Sequence, residues 1–184
     1  MDYEYYYNSA RNRYYDACSE INNCQNRINQ LNGDRQRKIN EINGLNAELT
    51  RHQNALDQVN SMLQQESDLL DQCTAISTSV SDAADNYTSM VSSSDVTVKN
   101  LNDVYGTENN TKVNNIFTEI RARKTALDSQ IETLNSSITT ANNQLNQINS
   151  SITSANNDLN YWNDEKRNAS ANMDYYKKKM EEEQ

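Results

Sequence analysis

The sequence contains no proline, and its only glycines are Gly33, Gly44 and Gly106. Proline breaks helix interiors and glycine weakens them, so their scarcity leaves long helices unobstructed. Apart from eleven tyrosines, aromatic residues are almost missing, with one Phe and one Trp. Hydrophobic residues make up 35% of the chain, too few for a thick core but enough for a thin seam between elongated helices. No apolar run approaches the roughly 20 residues of a membrane-spanning helix, so membrane insertion is not expected. Cys18, Cys24 and Cys73 are an odd set without a CxxC pair, and they read as small apolar residues on or beside a seam. The single histidine, His52, has no ligand-type partners beside it, so no metal site is expected. No HExxH, GxSxG, P-loop or Cys–His pairing is present, and a thin helical rod has no cleft for a substrate. The sequence therefore reads as a non-enzyme without a cofactor. Its net charge of −9 argues against unaided binding to nucleic acid or to an anionic membrane surface.

What the chain does have is periodicity. From Val113 to Met180, apolar residues recur every seventh position in two rows. One row is Val113, Ile120, Leu127, Leu134, Ala141, Ile148, Ala155, Trp162, Ala169 and Tyr176. The other is Phe117, Lys124, Ile131, Ile138, Leu145, Ile152, Leu159, Lys166, Met173 and Met180. Such 3-4 spacing puts both rows on one helical stripe, the seam of a left-handed coiled coil. Within it, the stretch from Ser136 to Asn146 recurs from Ser150 to Asn160, an offset of two heptads that preserves the seam.

A second pair of rows starts at Ile21: Ile21, Ile28, Arg35, Ile42, Leu49, Leu56, Leu63 and Leu70, with Cys24, Leu31, Lys38, Leu45, His52, Val59, Glu66 and Cys73. Arg35 and Lys38 fall on seam positions, where Ile39 can substitute. The reading is a continuous helix with one polar layer, or a mild kink at Gly33 or Gly44. Residues 74–112 turn to serine and threonine. A break is expected at Ser92–Asp95, a short apolar patch at Val96, Val98, Leu101 and Val104, and a turn at Tyr105–Thr111, with Asn110 or Thr111 capping the second long helix.

Two such stripes joined by a turn region predict an all-α fold: a long antiparallel helical hairpin forming a single domain. The first helix covers about 3–91, the connector about 92–110 and the second helix about 111–182. The antiparallel arrangement brings Tyr3, Tyr5, Tyr6, Tyr7, Tyr14 and Tyr15 beside Tyr161, Trp162, Tyr175 and Tyr176. Two helices bury little surface, so a partner is expected, either another small helical protein or a second copy in a homodimer. The start, Met1 to Tyr7, has neither the basic nor the apolar segment of a secretory leader, which reads as a cytoplasmic chain or one exported without a cleaved signal.

The segments Val104-Tyr105-Gly106-Thr107 and Lys112-Val113-Asn114-Asn115-Ile116-Phe117-Thr118-Glu119-Ile120, leading into Leu/Ile/Ser/Asn heptads, carry a resemblance. In layout the whole chain resembles the YwqH-like family of small helical proteins of Gram-positive bacteria. That family sits beside the LXG toxins and is similar to the WXG-type partners of type VII secretion. The resemblance implies a helical accessory or targeting chaperone that binds the N-terminal helical region of an LXG-type toxin before export. It points to Tyr105, Gly106, Phe117, Tyr161, Trp162 and Glu165 as partner-binding residues. Tyr161-Trp162-Asn163-Asp164-Glu165 also fits the Tyr-x-x-x-Asp/Glu export signal of type VII substrates. The alternative, suggested by the two-heptad duplication, is a self-associating coiled-coil spacer or scaffold.

Overall fold

A computed structural model describes residues 2–90 and 108–183. The chain is an all-α helical hairpin. Its elements are α1 (Tyr3–Gln64), α2 (Glu66–Met90) and α3 (Asn109–Glu182). Two compact units divide the chain. Unit 1 holds Met1–Leu45 with Ser137–Gln184, and unit 2 holds Asn46–Ser136.

Local chemistry explains how such polar sequences hold a helix. Asp2 caps α1: its Oδ1 accepts a hydrogen bond from the Tyr5 amide at 2.9 Å, which satisfies one of the free donors of the first turn. Asn, Ser and Thr are weak helix formers because they compete for backbone hydrogen bonds. Along α3 several of them instead fold back onto their own helix. The amide nitrogens of Asn142, Asn156 and Asn163 donate to the carbonyls of Ile138, Ile152 and Leu159 at 2.9–3.0 Å. Asn142 and Asn156 are equivalent positions of the fourteen-residue duplication, and they make the same bond in both copies. Thr118, Thr125, Thr133 and Thr153 do likewise through their hydroxyls.

The seam lies where the heptads place it. Every residue of both α3 rows is buried or half-buried, and Phe117, Ala141, Ala155 and Ala169 are the most enclosed. In α1, Arg35 is exposed and Ile39 is half-buried in its stead. Lys38, Lys124 and Lys166 lay their aliphatic stems along the seam and send the ammonium outward. Lys38 reaches Glu41 at 2.6 Å, Lys124 reaches Asp128 at 2.8 Å, and Lys166 Nζ sits 5.5 Å from the Tyr14 ring centre.

The seam also runs further toward the N-terminus than the rows starting at Ile21. Counting back by sevens from Ile21 and Cys24 reaches Tyr14, Tyr7, Ala17, Ala10 and Tyr3. Ala10 and Ala17 are buried, and the three tyrosines are half-buried.

Three outcomes bear on the expected helix bounds. First, α1 runs as one continuous helix through Gly33 and Gly44, the first of the two readings for that stretch. Second, the interruption of the first long helix comes at Gln65. The Gln65 amide donates to the Met62 carbonyl at 3.1 Å, a tighter closure than the α-helical bond, and helix resumes at Glu66. Glu66 is the only carboxylate in the seam rows. It pairs with Arg121 of α3, which satisfies a charge that apolar packing cannot. Third, α3 begins at Asn109, so Asn110 and Thr111 stand inside its first turn and do not cap it. The expected break at Ser92–Asp95, the patch from Val96 to Val104 and most of the Tyr105 turn lie outside the described residues.

Candidate functional site

In unit 1 the two chain ends are matched by aromatic and ionic pairs. Tyr6 stacks on Tyr176 with ring centres 5.4 Å apart and planes at 22°. Arg13 donates from Nη2 to Glu165 Oε2 at 2.6 Å. Arg27 lies 3.7 Å from Asp158. As the residue number rises on α1 it falls on α3, the signature of an antiparallel pair. The Arg13 guanidinium is held above its ordinary pKa, first by the hydrogen bond to Glu165 and then by that carboxylate's charge.

This framework leaves tyrosines facing water. Tyr5, Tyr15, Tyr161 and Tyr175 are each more than half exposed. Tyrosine presents a large rigid ring with a polar tip, at low entropic cost to a partner that covers it. Tyr161 is further braced edge-on against Trp162, with ring centres 5.0 Å apart at 75°. Trp162 itself is half-buried on the seam.

The residues singled out by the sequence therefore differ in availability. Tyr161 is open to solvent. Trp162 supports it from the seam. The Glu165 carboxylate is already engaged by Arg13, which leaves Tyr161 as the open end of the Tyr-x-x-x-Glu spacing. These three belong to unit 1. Phe117 belongs to unit 2 and is only 3% exposed, so it packs the hairpin and offers no surface to a partner while the helices stay paired. Tyr105 and Gly106 lie outside the described residues.

Unit 2 carries a second surface that the seam rows alone do not reveal. A shallow groove of about 350 Å³ runs between Met62, Gln65 and Leu69 on one side and Val113, Ile116 and Ile120 on the other, with Phe117 beneath. Met62, Leu69 and Ile116 are about half exposed, as is Ile76 further along α2. The sequence signal was present: Met62, Leu69 and Ile76 repeat at heptad spacing, one position ahead of the Leu56, Leu63 and Leu70 row.

Among the described residues no helix is long and apolar enough to cross a membrane. Among them, too, no group of three or more His, Cys, Asp or Glu side chains could hold a metal ion. His52 is half-buried, with Nδ1 3.0 Å from the Glu48 carbonyl oxygen. Cys24 is buried and Cys18 and Cys73 are half-buried, all as free thiols. Comparison with known proteins found no matching family model, no matching curated protein and no matching solved structure.

Proposed function

We propose that this protein is a helical accessory partner that binds the N-terminal helical region of an LXG-type toxin destined for type VII secretion. The observation that supports the reading best is Tyr161, exposed on a long helix and braced by Trp162. A rigid, solvent-facing aromatic on a preordered element is the kind of residue that dominates binding at helical interfaces. Tyr5, Tyr15 and Tyr175 are further exposed rings of the same unit.

Co-expression with the N-terminal region of an LXG-type toxin tests this. A stable complex should elute together, and Tyr161→Ala should weaken it by about 2 kcal/mol or more. Absence of any complex, with the chain eluting alone as a stable homodimer, would favour a coiled-coil spacer instead. That second reading is supported by the two-heptad duplication, which keeps both Ala141 and Ala155 buried on the seam.

A further inference from the structure

The groove of unit 2 is apolar where a solvated coiled-coil flank is ordinarily polar. Positions just outside the seam of such helices usually carry charged residues. Here that place on α1 and α2 is taken by Met62, Leu69 and Ile76, which are 52%, 42% and 53% exposed. On α3 the same place is taken by Ile116, at 55%. In an antiparallel pair these equivalent positions of the two helices share one flank, and the groove confirms it by being lined from both sides. A third helix with apolar residues at 3-4 spacing would complete the packing.

The surrounding charge says which helix. The described residues of unit 2, 46–90 and 108–136, hold 11 acidic and 5 basic side chains, a net of −6. Asp68 and Asp82 each immediately precede a position of the apolar row, Leu69 and Ala83. Glu119 lies one turn after Ile116 on α3. All three carboxylates are exposed, and none makes an ion pair among the described residues. Against them stand Arg51 and Arg123, while Lys112 is engaged by Glu108 at 2.7 Å. A second copy on this flank would set these acids against their own kind, and like charges in apposition oppose docking.

We propose that the flank formed by Met62, Leu69, Ile76 and Ile116 docks one amphipathic helix of another protein, apolar on the docked face and basic along its edges. The span from Met62 to Ile76 asks for on the order of 20 Å of partner helix, or about four turns. This surface is distinct from the Tyr161 surface of unit 1, and its test is separable from the toxin-binding test.

The probe is a fluorescent peptide with leucines at 3-4 spacing and lysines elsewhere, titrated into the full chain and read by anisotropy. Two controls accompany it: the same leucines with glutamates replacing the lysines, and the leucine–lysine composition in scrambled order. The leucine–lysine helix should bind saturably and at least about tenfold more tightly than either control. Leu69→Lys and Ile76→Lys should each weaken it by about tenfold, with helicity and thermal unfolding unchanged. Tyr161→Ala should leave it unaltered. Ile76 is the more exposed of the two, so its variant keeps the test decisive if Leu69→Lys disturbs the fold. Equal binding of the three peptides, or wild-type binding by Ile76→Lys, would overturn the proposal. So would light scattering that shows a dimer made monomeric by Ile76→Lys, since a second copy would then be the occupant.

Discussion

Arg13 and Glu165 are separated by 152 residues in sequence and joined by a 2.6 Å hydrogen bond. The bond ties α1 to α3 within unit 1, but its location limits its strength. The Arg13 side chain is 56% exposed and Glu165 24%, so water and salt screen the pair. A double-mutant cycle with Arg13→Ala and Glu165→Gln should give a coupling of about 0.2–1 kcal/mol. It should shrink as salt is raised. A coupling several-fold larger and indifferent to salt would contradict this account.

Tyr6 and Tyr176 should couple at a comparable or greater level. Their rings are stacked at 5.4 Å, and such pairs contribute about 0.5–1.5 kcal/mol beyond the area they bury. The double-mutant cycle with leucine at both positions reads it. Zero coupling in thermal unfolding would mean that the two ends of the chain are not held together by these rings.

Ala155 tests the tightness of the seam. It is fully buried at a heptad position where leucine is the common choice. Ala155→Leu therefore adds apolar bulk in the right pattern but in a place with no room. We expect destabilisation of about 1–3 kcal/mol by denaturant titration. A gain in stability would show that the helices can separate locally to admit the larger side chain.

Phe117 anchors unit 2 from beneath the groove. Phe117→Ala should cost about 3 kcal/mol, combining lost transfer energy with a cavity. Amide exchange should quicken first within residues 46–136, with protection around Ala10, Ala17 and Ala169 retained longer. Uniform loss of protection throughout the chain would show that the two units unfold together.

The end of α3 should respond to acid. Lys179 Nζ donates to Glu182 Oε2 at 2.6 Å, and this bond, followed by the lysine's charge, holds the Glu182 carboxyl below its ordinary value of 4.5. A carboxyl with a lowered folded pKa favours the ordered turn above the ordinary value, and that preference is lost as pH falls through the folded value. Lys179 is shifted upward, so its contribution persists at neutral pH and disappears only in strong base. Exchange of the last-turn amides should therefore accelerate on acidification below about 4.5 relative to the helix interior, and Glu182→Gln should abolish that difference. An identical pH response in the variant would remove the pair from the explanation.

How much of this was legible in the sequence varies by element. The seam of α3 was fully legible, because a row from Val113 to Tyr176 needs only local periodicity to declare a buried stripe. The substitution of Ile39 for Arg35 was legible for the same reason. The break at Gln65 was not, since glycine looked like the natural weak point. The observed interruption instead adjoins the charged seam residue Glu66 and its partner across the hairpin. The candidate site was legible in part. Tyr161, Trp162 and Glu165 could be named, but their different availability could not, because exposure depends on what the facing helix covers.

That division has a physical origin. Helix and seam follow from residues a few positions apart, so the order of amino acids alone determined that this chain forms long helices and which stripe each buries. Which tyrosines remain in water, which arginine engages Glu165, and why Met62, Leu69, Ile76 and Ile116 stay uncovered were decided only by tertiary structure. Two helices enclose one seam between them, and the apolar residues just outside that seam stay exposed until a further helix covers them.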